Sequence, residues 1–246
     1  MKVQDGLRQS IEKSGTILRG LGVFLVAGLA IAATAAWAFG EFAEKVVAGQ
    51  TQAFDDSVLR WMGAHHSKLL DDAMLEITAL GTGTVVLMIV AIASLFLVLT
   101  RHKYSAILLV VATAGGILLD MVLKNFFNRP RPHIFTWGTN AVSSSFPSGH
   151  AMSAVIVYST VAYLAARLQR RTWARLIVMT IALIVIILIS ISRLYLGVHY
   201  PSDVVAGMTI GFGWAAFCMA TLEAIQRFGR RSHPEIESDE EPVALA

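Results

Sequence analysis

The chain has 246 residues, of which 55% are hydrophobic and 15% charged, against about 45–50% and about 25% in average soluble domains. Its mean hydropathy of +0.62 argues against a soluble enzyme, a coiled coil or a disordered chain. The formal net charge of +3 is too small to indicate a nucleic-acid partner, and the single cysteine allows neither an intrachain disulfide nor a thiolate metal cluster.

Six apolar runs follow one another along the chain, and each is close to the roughly 20 residues that a membrane-spanning helix needs. Because backbone groups inside lipid must be hydrogen-bonded within their own segment, these runs are predicted to be helices. They cover approximately Ile17–Phe39, Ile77–Leu99, Tyr104–Phe126, Gly149–Ala166, Leu176–Ile191 and Val204–Ile225. The sequence therefore predicts an all-α, polytopic protein with six transmembrane helices.

The distribution of Lys and Arg predicts how these helices are oriented. If all six runs cross the membrane, the basic clusters before run one, between runs two and three, between runs four and five, and after run six share one side. Positive charge marks the cytoplasmic side, so both termini are predicted to be cytoplasmic. The length of the chain favours the inner membrane of a bacterium.

Two terminal segments and one connecting segment complete the domain prediction. The first run contains an Ala-x-Ala sequence, as signal peptides do at their cleavage site, but its length favours an uncleaved anchor. Between runs one and two, a short amphipathic helix is predicted around Phe54–Met62 and interpreted as lying on the membrane surface, with a plain loop as the alternative. Residues 1–231 are expected to form a single domain, and the acidic tail 232–246 is expected to be disordered.

Three polar stretches interrupt the apolar background: Lys124–Pro132, Ser145–His150 and Ser192–Asp203. With six spans, all three lie at the extracytoplasmic ends of helices, where they can form one pocket. Polar groups at membrane depth are costly and usually functional. These stretches are therefore the candidate site.

The polar stretches supply the groups that bind a multiply charged anion. Pro147 suits the first turn of a helix, which leaves the amides of Ser148, Gly149 and His150 without intrahelical partners. An ordinary Pro-Ser helix cap is the alternative. Three cations accompany this helix start, and their other interpretation is anchoring at the membrane interface. These cations are Lys124, Arg131 and Arg193.

Two histidines suit a two-step phosphoryl transfer. His199 is predicted to be the nucleophile and to form a phosphohistidine, with Asp203 holding its ring. His150 is predicted to protonate the leaving oxygen and then to activate water. A capping Asp beside an interfacial His is the alternative for His199 and Asp203. No cofactor is expected, and a metal is not expected because no carboxylate cluster accompanies the histidines.

The three stretches resemble the signature of the type 2 phosphatidic-acid phosphatase superfamily, K-x6-R-P, P-S-G-H and S-R-x5-H-x3-D. Every position of the signature is present between Lys124 and Asp203. The resemblance implies the same roles for His199 and His150. It also implies that the cations, the Ser148 hydroxyl and the Gly149 N–H bind the substrate phosphate.

The expected function is a metal-independent phosphatase that acts on a membrane lipid phosphate. The resemblance implies four candidate substrates: phosphatidic acid, phosphatidylglycerol phosphate, undecaprenyl diphosphate and lipid A phosphate. A phosphotransferase and a non-catalytic transporter or lipid-binding bundle are the alternatives, and the latter requires no pair of histidines. The amphipathic segment near Trp61 is expected to border the entrance for acyl chains. The particular lipid and the oligomeric state are left open.

Overall fold

The computed structural model describes residues 2–134 and 143–232, with side chains for residues 22–134 and 143–227. Over these ranges the chain forms eight α-helices and no strand, so the all-α prediction is confirmed there. The helices are α1 (Lys2–Val47), α2 (Gln52–Ala64), α3 (Lys68–Ala79), α4 (Gly83–Leu99), α5 (Lys103–Phe127), α6 (Gly149–Leu168), α7 (Thr172–Tyr195) and α8 (Pro201–Ser232). The predicted tail begins at the last residue of α8, and residues 233–246 lie outside the described part.

Five helices are long and apolar enough to cross a membrane: α1 (over residues 22–47), α5, α6, α7 and α8. A sixth span exists only if α3 and α4, which are bent by 48°, are taken together. Alone, the 17 residues of α4 give about 26 Å of helix, less than the roughly 30 Å of hydrocarbon. The described residues therefore contain five or six candidate spans, against the six that the sequence predicts.

The second predicted run is not one straight helix. The chain turns at residues 80–82, where the N–H groups of Leu80 and Gly81 donate to the carbonyl oxygens of Ile77 and Thr78. These bonds close shorter turns than the α-helical pattern, so the helix axis changes direction. A hydropathy window cannot detect such a bend, because the residues on both sides of it are apolar.

The helix predicted around Phe54–Met62 is α2. Leu59 is buried, whereas Phe54 and Trp61 are exposed. The following helix, α3, was not predicted as a separate element. It is fastened to the end of α7, because Asp71 accepts a hydrogen bond of 2.7 Å from the Tyr195 hydroxyl.

Helix α6 lies at the centre of the bundle and contacts α4, α5, α7 and α8, while α1 packs along α8. Two glycines allow α8 to approach α6 closely near the start of both helices. A Cβ at Gly207 would lie 2.6 Å from the Ser148 carbonyl oxygen, and one at Gly211 would lie 3.0 Å from that of Met152. This packing brings the first turns of α6 and α8 to the same end of the bundle.

Candidate active site

Four helix ends and one bend meet at one end of the bundle. Helices α5 and α7 end there, α6 and α8 begin there, and the turn between α3 and α4 lies beside them. The three polar stretches from the sequence occupy these positions. The structure therefore brings together the residues that the sequence predicted to form one site.

The ring of His199 is held in one tautomer. Its Nδ1 lies 2.8 Å from the Ser145 carbonyl oxygen, and its Nε2 lies 3.4 Å from Arg131 Nη1. A carbonyl only accepts and a guanidinium only donates, so the proton is on Nδ1 and the lone pair is on Nε2. Burial lowers the pKa of His199 to about 4, although the Asp203 carboxylate acts in the opposite direction. The ring is therefore neutral at pH 7.

Asp203 is fully buried and lies beside His199, but it is not the nearest acceptor. Its Oδ2 is 3.5 Å from His199 Nδ1, farther than the Ser145 carbonyl. The same Oδ2 accepts a hydrogen bond of 2.9 Å from the Tyr200 N–H. The expectation that Asp203 orients the ring is thus refined, because Ser145 makes the direct hydrogen bond and Asp203 adds a nearby negative charge.

His150 lies at the start of α6, against the turn between α3 and α4. A methyl group at Gly81 would lie 2.9 Å from His150 Cδ2, so the ring packs directly on that glycine. His150 is also close enough to interact electrostatically with His199 and Arg193. The two predicted histidines therefore belong to one cluster.

Arg131 is held by the backbone around His199. Its Nη1 donates to the Val198 carbonyl oxygen at 2.9 Å, and its Nε donates to the Ser143 carbonyl oxygen at 2.9 Å. These bonds fix the plane of the guanidinium and direct Nη1 toward His199 Nε2. Arg131 thus lies next to the predicted point of attack.

The other two cations are each held by one polar side chain. Arg193 Nη1 donates to the Thr78 hydroxyl at 2.7 Å, in a buried contact between α7 and α3. Lys124 Nζ lies 2.8 Å from Asp120 Oδ2, one turn earlier on α5. A Cβ at Gly149 would lie 2.7 Å from Lys124 Nζ, so the ammonium rests on the first residue of α6.

Ser148 differs from its predicted role in one respect. Its N–H donates to the Asp203 carbonyl oxygen at 2.9 Å, so this amide is already used. Its hydroxyl is buried and has no hydrogen-bond partner among the described residues. The first amides of α6, at Gly149 and His150, lack intrahelical acceptors as at any helix start. The hydroxyl and these two amides are the donors available to an anion.

Several residues that shape the site were not assigned a role from the sequence: Asp55, Thr78, Gly81, Asp120 and Arg129. The Arg-Pro-Arg-Pro repeat was a signal for Arg129, which contacts Asp203 Oδ1 at 2.5 Å. For Asp55, the signal was its position one helical turn before the apolar Leu59, on the same face of α2. Thr78 and Gly81 gave no signal, because their partners are distant in the sequence.

No group of three or more His, Cys, Asp or Glu side chains within residues 22–134 and 143–227 is arranged to hold a metal ion. The three predicted cations instead lie around two imidazoles, and the carboxylates beside them are those of Asp203 and Asp120. This donor set fits a tetrahedral oxyanion, since arginine matches the geometry of phosphate oxygens. The site thus has the composition expected of a phosphoryl-transfer centre.

The comparison with known proteins agrees with this class of site. The model of the PAP2 superfamily matches residues 103–227, which is half of the chain and includes the whole signature. A second match is phosphatidylglycerophosphatase B of Bacillus subtilis (strain 168), 31% identical over 181 residues, 73% of this chain and 89% of the relative. The chain therefore belongs to the PAP2 superfamily, and the resemblance seen in its sequence is confirmed.

Three other known proteins are also similar to this chain. The undecaprenyl-diphosphatase of Sulfolobus acidocaldarius is 30% identical over 55% of this chain and 63% of the relative. The crystal structure of a transmembrane PAP2-type phosphatidylglycerolphosphate phosphatase from Bacillus subtilis has a TM-score of 0.75 and 28% identity, covering 79% of this chain and 96% of the other. Aquifex aeolicus LpxE has a TM-score of 0.51 and 26% identity, covering 69% and 93%.

Proposed function

We propose that the chain is a lipid phosphate phosphatase that releases the terminal phosphate of a membrane lipid through a phosphohistidine on His199. One observation carries this proposal: Nε2 of a neutral, buried imidazole keeps its lone pair and faces Arg131, while Ser145 holds Nδ1. A site that only binds anions needs the cations, but it does not need a nucleophile fixed in this way.

In the first step, Nε2 of His199 attacks phosphorus opposite the bond to the lipid. The N–P bond forms while the P–O bond breaks, and protonated His150 gives its proton to the leaving oxygen. The lipid leaves as an alcohol, or as a monophosphate if the substrate is a diphosphate. The phosphoryl group remains on His199.

In the second step, neutral His150 takes a proton from a water molecule whose oxygen attacks phosphorus. The N–P bond breaks, and its electron pair returns to Nε2 of His199. Inorganic phosphate leaves, and His150 is again protonated for the next cycle. No external oxidant, reductant or metal enters this balance.

The phosphoryl oxygens are bound by the donors around the two histidines. Lys124, Arg131 and Arg193 offset their charge, which becomes more concentrated as the bonds change. The buried Ser148 hydroxyl and the Gly149 N–H supply directional hydrogen bonds. These groups come from α5, α7, the loop after α5 and the start of α6.

The site is proposed to face the outside of a bacterial inner membrane, with both termini in the cytoplasm. The opposite end of the bundle carries the turns α4–α5 and α6–α7 with basic residues such as Arg101, Arg170 and Arg175. The positive-inside rule assigns that end to the cytoplasm. A reporter protein fused after Ala246 is therefore expected to lie in the cytoplasm.

Phosphatidylglycerol phosphate is the first candidate substrate, because a relative that this chain covers over 89% of its length and the structural neighbour with a TM-score of 0.75 are both named for it. Undecaprenyl diphosphate is the second candidate, supported by the Sulfolobus relative. The two differ in the leaving group, an alcohol for the first lipid and a monophosphate for the second.

The test is phosphate release by the purified full chain in excess chelator, with phosphatidylglycerol phosphate, phosphatidic acid, undecaprenyl diphosphate and lipid A phosphate. We expect activity with chelator present, a loss of at least about 10³-fold in His199→Ala and of about 10²- to 10⁴-fold in His150→Ala. His102→Ala, at the other end of the bundle, is the matched control and should remain fully active. Activity that disappears with chelator, or that survives His199→Ala, would contradict the mechanism.

A further inference from the structure

A buried carboxylate on α2 lies beside the turn that carries His199. Asp55 is fully buried, and its Oδ1 accepts a hydrogen bond of 3.0 Å from the Ser202 N–H. Its Oδ2 accepts from the Ser202 hydroxyl at 2.5 Å and from Arg129 Nη2 at 3.0 Å. Asp55 is thereby bound to the first turn of α8, 147 residues later in the sequence.

Arg129 connects Asp55 to Asp203. Its Nη2 lies 3.0 Å from Asp55 Oδ2, and its Nη1 lies 2.5 Å from Asp203 Oδ1. The guanidinium also stacks on Tyr200, with Cζ 4.2 Å from the ring centroid. Asp55, Arg129 and Asp203 thus form a row of alternating charges, whose last member is 3.5 Å from His199 Nδ1.

The charge around His199 decides whether Nε2 keeps its lone pair. The charged or titratable groups near the ring are Asp203 on α8, Arg193 on α7, His150 on α6 and Arg131 on the loop after α5. A carboxylate beside an imidazole favours the imidazolium, which has no lone pair for attack. Arg129 contacts the Asp203 carboxylate. Its positive charge therefore reduces the tendency of Asp203 to favour the imidazolium form of His199.

We propose that Arg129 and Asp55 are positioning residues for the phosphatase reaction: Arg129 offsets the charge that Asp203 presents to His199, and Asp55 holds Arg129 in place. The inference rests on the proposed role of His199 as the nucleophile. Neither residue belongs to the signature motifs, and neither contacts the ring of His199. Both act through Asp203.

A purely mechanical role for the row makes a different prediction. If the row only fastens α2 to α8, the loss of either residue loosens the turn and admits water, and the pKa of His199 rises toward its ordinary value in both variants. If the row controls charge, the two variants differ in sign. Removal of the Arg129 cation favours the imidazolium form of His199. After removal of the Asp55 anion, Arg129 pairs with Asp203 alone and offsets its charge more fully, which favours the neutral ring.

The experiment is an NMR titration of the full chain in detergent, labelled with ¹⁵N-histidine, with His199 assigned by comparison with His199→Gln. Arg129→Gln is expected to raise the pKa of His199 by roughly 1 to 3 pH units and to shift the acid limb of kcat/KM upward. Asp55→Asn is expected to leave that pKa at or below the wild-type value. Arg129→Lys keeps the cation and should titrate like the wild type, even with a lower kcat.

Arg60→Gln is the matched control, since Arg60 also pairs with an aspartate on α2, Asp56, but its side chain is 72% exposed. It should change neither the titration nor the rate. A rise in the His199 pKa in both Asp55→Asn and Arg129→Lys would overturn the proposal, as would an unchanged pKa in Arg129→Gln. If Arg129→Gln does not fold, the other two variants decide the question.

The titration uses no substrate, so its outcome is separable from that of the proposed function. A chain without phosphatase activity that still shows opposite effects in Arg129→Gln and Asp55→Asn would refute the function and leave the charge relation intact. An active chain in which both variants shift His199 alike would refute only this inference.

Discussion

The ring of His150 rests directly on Gly81: a methyl group added at residue 81 would lie 2.9 Å from His150 Cδ2 and 2.7 Å from Ile189 Cγ2. The bend between α3 and α4 is therefore more than a change of direction, because it presents a residue without a side chain to the proposed general acid. A larger residue at this position must displace the imidazole or the helix behind it.

Gly81→Ala is expected to lower kcat by roughly 10-fold or more, since a displacement of about 1 Å in a catalytic group can cost up to about 10²-fold. KM should change less, because the three cations that bind phosphate do not contact Gly81. Gly83→Ala is the matched control, as nothing lies within 4 Å of the added Cβ. Steady-state kinetics that are equal for the two variants would show that the bend does not position His150.

Gly149 supports the binding of phosphate in a different way. A Cβ there would lie 2.7 Å from Lys124 Nζ and 2.9 Å from both Asp120 carboxylate oxygens. These are the ends of flexible side chains, so Gly149→Ala should fold but move the ammonium. Because a hydrogen bond to a charged group is worth about 1.5–3 kcal/mol, the inhibition constant for vanadate, a mimic of the five-coordinate phosphoryl group, should rise about 10-fold or more.

Two other glycines serve as controls for Gly149→Ala. Gly40→Ala, with nothing within 4 Å of its Cβ, should leave vanadate inhibition unchanged, whereas Gly207→Ala places a methyl 2.6 Å from the Ser148 carbonyl oxygen. Backbone cannot move as a side chain does, so Gly207→Ala should lower the thermal stability of the protein in detergent. Unchanged vanadate inhibition in Gly149→Ala would argue against a phosphate site beside Lys124.

The signature residues were predictable because the chemistry needs particular side chains at particular spacings. The ends of α5 and α6 agree closely with the predicted apolar runs, whereas α7 and α8 continue beyond theirs, to Tyr195 and Ser232. An apolar run ends at the first polar residues, but a helix can continue through them. The contacts of Asp55 and Thr78 were not predictable, because each depends on packing between helices far apart in the sequence. The hydrogen-bond acceptor for His199 was not predicted either. It is the backbone carbonyl of Ser145, and every residue has such a group, so the amino-acid sequence does not indicate which one is used.

The exposed aromatic on α2 offers a test of lipid access. Trp61 is 59% exposed, on the helix that holds Asp55 beside the site. Trp61→Ala is expected to lower kcat/KM for a long-chain lipid phosphate by about 3- to 10-fold through lost apolar contact, and to leave a short, soluble phosphate ester unaffected. Trp173→Ala, 58% exposed at the opposite end of the bundle, should have no effect on either substrate. Equal losses on the long and short substrates would rule out a role in chain recognition.

The measurement that tests the central claim most directly is the identification of the phosphorylated atom. His150→Ala should accumulate a phosphoenzyme from a substrate with a good leaving group, such as p-nitrophenyl phosphate, since attack then needs no acid while hydrolysis still needs the base. Because Nδ1 of His199 is engaged with Ser145, tandem mass spectrometry and ³¹P NMR should find phosphate on Nε2 of His199. Phosphate on Nδ1, on another residue, or on no residue during turnover would contradict the account.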